Sequence, residues 1–135
     1  VFLFVIFFTK DFFRFSVTLP SSLGFIIILA GLMIIFIAAR QFKVVNTTIN
    51  PMKPENASVL VNKGIFSYSR NPMYLGLAGI LTGVTLFLQA WLGFIAIPIF
   101  IMYINKYQIA PEEKILTEIF KDDYISYCST VKRWI

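Results

Sequence analysis

The stretch "GIFSYSRNPMYLG", residues 64–76, sets Arg70, Asn71, Pro72 and Tyr74 beside Phe66 and Tyr68 at the entrance to a long apolar segment. A guanidinium beside the start of a helix, where backbone amides lack intrahelical acceptors, suits a carboxylate. Aromatic faces suit the opposite charge, because their quadrupole attracts a sulfonium or an ammonium. Together these residue types describe a site for a ligand carrying both an anion and a cation. The same residues have a plainer reading, in which Asn71 is an N-cap, Pro72 the first helical residue, Arg70 an interfacial anchor and Tyr74 part of an aromatic belt.

A second cluster lies further along the chain. Glu112 and Glu113 either complement the dipole at a helix start or offer a carboxylate to a ligand ammonium or ribose hydroxyl. Neighbouring helical positions diverge by about 100°, so one of the two would face any given ligand. Tyr103, Asn105, Lys106, Tyr107 and Gln108 form a polar, aromatic band just before them, as expected at a membrane interface. Cys128 reads as a small packing residue. With no histidine and a single cysteine, the chain has neither a histidine base nor the usual donors of a metal site, and no internal disulfide.

The elements that must carry these residues are apolar. Of the 135 residues, 58% are hydrophobic and 14% charged, and the mean hydropathy is +0.77. Such values point to an integral membrane protein, and the length suits one unit, 1–135, without a separate soluble domain. The net charge of +5 is accounted for by basic residues flanking apolar spans, which argues against a nucleic-acid partner.

Leu19 to Ala39 reads as a first span, Pro72 to Leu88 as a second, and Leu92 to Ile104 or Tyr107 as a third. The opening "VFLFVIFF" is too short to span alone, which suggests a trimmed start or part of a longer helix, and it lacks the flanks of a signal peptide. The short connection "QAW" makes the second and third spans a hairpin, with Gly76, Gly79 and Gly83 as its small-residue seam and Pro98 as a kink. Gly24 and Gly31 would admit another helix closely. Between Val44 and Asn71 lies a polar loop whose "ASVLVNKGIF" looks extended. Beyond the hairpin, Pro111 starts an amphipathic helix with apolar positions at Ile115, Leu116, Ile119, Phe120, Tyr124, Tyr127 and Val131. Arg40, Lys43, Lys53, Lys63 and Arg70 before the hairpin, and Lys106, Lys114, Lys121, Lys132 and Arg133 after it, put both ends in the cytoplasm by the positive-inside rule. The expected fold is thus all-α: a multi-span helical membrane protein with a cytoplasmic loop and a C-terminal amphipathic helix.

"LVNKGIFSYSRNPMYLG", followed after the hairpin by "PEEKILTEIFKDDYISYCSTVKRWI", resembles the C-terminal half of the isoprenylcysteine carboxyl methyltransferase and phospholipid methyltransferase superfamily. Two motifs in the right order are more specific than either alone. The resemblance implies methyl transfer from S-adenosylmethionine to a lipophilic small molecule or lipid, either an isoprenylcysteine-type carboxylate or a phospholipid amine. By position, the cofactor contacts would be Ser58, Val59, Leu60, Val61, Phe66, Asn71, Pro72, Met73, Tyr74 and Glu112. Arg70, Gln108 and Glu113 are the substrate-side candidates. Gln108 stands where the carboxyl methyltransferases place a substrate-binding arginine, Phe66 replaces the usual tyrosine, Asn71 the more frequent histidine, and Lys121 a glycine. The implied chemistry is in-line attack on the cofactor methyl, helped by positioning and exclusion of water, with Glu113 or water receiving a proton if the acceptor is an amine. The ending "YCSTVKRWI" also resembles that of membrane sterol reductases, which implies an NADPH-dependent reductase as the alternative. A non-catalytic membrane protein is the third reading.

Overall fold

A computed structural model describes residues 1–9, 19–44 and 59–135, and helices are the only regular elements among them. They are α1 (Phe2–Thr9), α2 (Ser21–Val44), α3 (Pro72–Phe87), α4 (Gly93–Ile104), α5 (Ala110–Phe120) and α6 (Asp122–Thr130), with a 3₁₀ turn at Gly64–Ser67 and a π-turn at Asn105–Ile109. At 24 residues, α2 is about 36 Å long, enough for a hydrocarbon core of about 30 Å. The rod Gly93–Phe120 also reaches crossing length, while α3 is shorter. Only 17% and 22% of the two apolar windows are buried, which separates them from the core helices of a soluble protein. Their outward faces carry Phe25, Ile26, Leu29, Met33, Phe36, Ile95, Ile99 and Met102, side chains suited to lipid as solvent.

The small-residue seam joins α2 to α3. The expectation that Gly76 and Gly83 serve the α3–α4 hairpin is corrected here, since α3 makes its largest helix interface with α2. A Cβ on Gly24 would stand 2.6 Å from the Gly83 carbonyl oxygen, and one on Gly31 2.6 Å from that of Gly76. The reverse contacts are both 2.7 Å. Gly24 opposite Gly83 and Gly31 opposite Gly76 define two antiparallel helices whose backbones touch, at an interval of two turns. Gly79 sits outside this contact, 3.8 Å from the Gly31 Cα for the same imaginary atom.

On its other side α3 pairs with α4 through the turn 88–92, where Gln89 has φ +52°. The hairpin is closed by α1: Ile6 is fully buried with Leu81, Ala90, Ala96 and Phe100, and the Phe2 ring meets Phe100 edge-on at 5.5 Å. The apolar opening segment is thus packed into the hairpin.

The tail differs from one continuous amphipathic helix beginning at Pro111. Helix α5 continues α4 through the π-turn, in which the Ala110 amide donates to the Asn105 carbonyl. The wider turn falls where Pro111 cannot donate and where its ring would otherwise press on the preceding turn. The break comes later, at Lys121, whose φ +49° and ψ −121° are a conformation that favours glycine. Beyond it, α6 folds Tyr124, Tyr127 and Val131 into a second small core with Leu60, Leu116, Phe120 and Cys128. Apolar periodicity runs through the break because both helices face that core, while Lys114, Glu118, Lys121 and Asp122 remain exposed as expected.

Candidate functional site

The segment before α3 is held from two directions. At the end of α2, Gln41 reaches across Gly64 (φ +61°); with its amide oriented to satisfy both atoms, it donates to the Lys63 carbonyl at 3.2 Å and accepts from the Ile65 amide at 3.3 Å. The Phe66 ring lies edge-on to Phe42 at 5.2 Å, and Tyr127 donates its hydroxyl to the Phe66 carbonyl at 2.6 Å. Burial pushes the Tyr127 hydroxyl well above the usual tyrosine range, so it stays a donor at any physiological pH.

Asn71 stands at the N-cap position but does not cap through its side chain. Its Nδ2 instead donates to the Arg133 carbonyl at 3.0 Å, and its amide donates to the Ser69 hydroxyl at 3.1 Å. Helix α3 closes its first bond from the Leu75 amide to the Asn71 carbonyl at 3.0 Å, which leaves the amides of Met73 and Tyr74 without intrahelical acceptors. Pro72, which has no amide hydrogen, is fully buried there.

From the first turn of α3, Tyr74 donates its hydroxyl to Glu112 Oε1 of α5 at 2.5 Å. Gln108, one turn earlier on the π-turn, lies close enough to interact with both side chains. The adjacent glutamate does something else. Glu113 Oε1 accepts from Arg70 Nη1 and Arg133 Nε, each at 3.0 Å, and Oε2 accepts from Arg133 Nη2 at 2.6 Å. The Arg133 guanidinium is held above its already high ordinary value, chiefly by the hydrogen bond to Glu113. Arg70 Nη1 also meets Cys128 Sγ at 2.9 Å, while its buried Nε has no acceptor among the described residues. The two ion pairs among the described residues both belong to Glu113, so Glu112 has no cationic partner among them.

The residues singled out in the sequence therefore fall into groups. Tyr74, Glu112 and Gln108 meet directly; Arg70, Asn71 and Glu113 lie beside them in a network with Arg133. Phe66 is buried on α2. Val59 is exposed and Val61 half-buried. Leu60 turns to the core under α6 and lines an open groove of about 610 Å³ with Asn62, Ser67, Asp123 and Tyr127. Ser58 lies outside the described residues. Arg133, which the sequence suggests only as a topology-setting charge, and Trp134 were not among the expected site residues, although both stand in the second motif.

With the two motifs in direct contact, comparison with known proteins becomes informative. Residues 20–123 match the phospholipid methyltransferase family. The chain belongs to that family. A protein-S-isoprenylcysteine O-methyltransferase of Saccharomyces cerevisiae is 39% identical over 82 residues, which are 58% of this chain and 33% of the yeast enzyme. An uncharacterized protein of Haemophilus influenzae is 44% identical over 63 residues, 47% of this chain and 100% of that protein. The chain thus spans all of the bacterial relative and a third of the yeast one. No solved structure matches. Membership favours the methyltransferase reading over the reductase one, and the apolar, outward-facing helices agree with a family that works at membranes.

Proposed function

We propose that this family member transfers a methyl group from S-adenosylmethionine to a lipophilic acceptor, an isoprenylcysteine-type carboxylate or a phospholipid amine, at the cytoplasmic face of a membrane that its helices cross several times. The observation that carries the reading is the Tyr74–Glu112 hydrogen bond, beside the N-terminus of α3. A carboxylate with no cationic partner lies beside free amide donors, so acceptors for an ammonium or ribose and donors for a carboxylate occupy one corner of the fold. That pairing of donors and acceptors fits the zwitterionic end of S-adenosylmethionine.

When bound, S-adenosylmethionine supplies an electrophilic methyl group. The chain's own task is to hold and orient it. Glu112 would accept from the cofactor's ammonium or ribose, Tyr74 and Gln108 would fix the Glu112 carboxylate, and the Met73 and Tyr74 amides would donate to the cofactor carboxylate. Glu113, with both oxygens committed to guanidiniums, belongs to the architecture, so an amine acceptor loses its proton to water. Burial of Tyr74 keeps water from the Tyr74–Glu112 bond and strengthens it. The acceptor approaches sideways from the apolar faces of α3 and α4.

Incubating the membrane-reconstituted protein with methyl-labelled S-adenosylmethionine and a lipid extract tests this, with the labelled product identified by mass. Label should appear in an extractable lipid. Tight binding of NADPH with neither S-adenosylmethionine binding nor label transfer would overturn it in favour of the reductase.

A further inference from the structure

The residues after α6 make more directed polar contacts than a packing tail needs. Val131 is buried in the small core with Tyr124 and Tyr127, and from there the chain crosses three elements in turn. The Lys132 carbonyl accepts from the Arg70 amide at 3.0 Å. The Arg133 carbonyl accepts from Asn71 Nδ2 at 3.0 Å, while the Arg133 side chain clasps Glu113 through Nε at 3.0 Å and Nη2 at 2.6 Å. Trp134 Nε1 donates to Asn105 Oδ1 at 3.0 Å.

Each anchor lies within a helical turn of a site side chain: Asn71 of Tyr74, Glu113 of Glu112, Asn105 of Gln108. The first turn of α3, the π-turn and α5 present those three side chains, and one short segment ties all three together. A fork-to-fork arginine–carboxylate contact fixes angle as well as distance. A segment serving only to cover apolar surface would have no use for that geometry, nor for an arginine whose side chain is 41% exposed.

We propose that Val131–Trp134 is a strap that sets the distance between Tyr74 and Glu112, with Arg133 and Trp134 as positioning residues for S-adenosylmethionine. This rests on the methyl-transfer reading for its kinetic consequence, but its structural consequence stands apart from it. Loosening the strap lets the first turn of α3 and the start of α5 drift, and displacements of about 1 Å at an aligned site cost up to about a hundredfold in rate or binding.

The test compares Arg133→Gln, Arg133→Lys and Trp134→Phe in the full chain. Hydrogen exchange of the Arg70 and Leu75 amides is measured without S-adenosylmethionine, and KM and kcat are measured with it. Arg133→Gln should accelerate exchange at both amides and raise the S-adenosylmethionine KM at least tenfold. Arg133→Lys, which keeps the charge and loses the fork, should fall between it and the unaltered protein. Trp134→Phe, which loses the donor and part of the ring surface but keeps an aromatic side chain, should raise KM about threefold. A fall in thermal midpoint with KM unchanged would make these residues structural alone and overturn the positioning role. Unchanged exchange in Arg133→Gln would overturn the strap whatever the reaction, whereas absence of methyl transfer by the unaltered protein would overturn the proposed function and leave the exchange result to decide the strap.

Discussion

The two adjacent glutamates should respond to the same substitution in opposite ways. Glu113→Gln removes the charge that accepts three hydrogen bonds from two arginines, at 3.0, 3.0 and 2.6 Å. Breaking a buried ion pair from one side costs about 3–5 kcal/mol, because the partner charge stays buried and unpaired. Arg70 meets that condition with a side chain 14% exposed, whereas Arg133, at 41%, regains water and its share is small. The amide of glutamine retains one acceptor, so a loss of about 2–3 kcal/mol is expected, a fall of about 8 °C in thermal midpoint for a chain of this size. Glu112→Gln keeps an oxygen for the Tyr74 hydroxyl and strands no cation, so its cost should stay under about 1 kcal/mol. Its effect should fall on the ligand: losing one charge-assisted bond weakens S-adenosylmethionine by about tenfold or more. Thermal unfolding and calorimetric titration of both variants in the same detergent decide the matter. Equal destabilisation by the two, or loss of binding in Glu113→Gln with its thermal midpoint unchanged, would refute the division of labour.

Three further perturbations test the scaffold. Lys121→Gly should stabilise by about 1 kcal/mol, the relief of a positive φ less the extra freedom of glycine in the unfolded chain, while Lys121→Ala should do nothing of the kind; thermal unfolding distinguishes them. Gly76→Ala should cost about 2–3 kcal/mol, because its Cβ would stand 2.7 Å from the Gly31 carbonyl oxygen and 2.6 Å from Ile35 Cγ1, whereas Gly79→Ala should be neutral or mildly stabilising. Stability should also fall as pH rises past about 10. The buried Tyr124 and Tyr127 hold their protons above that point while the unfolded chain releases them, so each tyrosine removes up to about 1.4 kcal/mol per pH unit there and nothing below. Tyr127→Phe should flatten that alkaline limb in denaturant titrations.

What could be read from the chain, and what could not, divides by the range of the interaction. The apolar run of α2 and the charges that close it are local, and so is the helix start at Pro72. The spacing of Gly24 and Gly31 and of Gly76 and Gly83 was visible, but nothing local says which neighbour a glycine seam faces; only the 2.6 Å approaches across α2 and α3 do. The break at Lys121 was hidden because apolar periodicity continues through it, and the one hint was a lysine in the place of a glycine. The resemblance of two motifs implied one shared ligand for Tyr74 and Glu112, but not the direct hydrogen bond between them. The capture of Glu113 by Arg70 and Arg133 was not implied either, because pairings 43 and 20 residues apart in the chain leave no periodic trace.

The π-turn explains how a single rod serves both an apolar and a polar interface with α3. Phe100 is buried against the face of α3 that carries Leu81, and Glu112 meets Tyr74 on the same helix. In an unbroken α-helix the advance from Phe100 to Glu112 would be about 1200°, leaving the two side chains about 120° apart around the axis. One extra residue accommodated in the wide turn takes up about 100° of that, so the two project within about 20° of each other. Without it, Glu112 would point past α3, and neither a tyrosine in the first turn of α3 nor a strap behind it would bring the carboxylate back. Because Pro111 already breaks the hydrogen-bond ladder there, the widening adds little cost. The rod can then turn from hydrocarbon-facing packing to a polar corner without α3 having to bend.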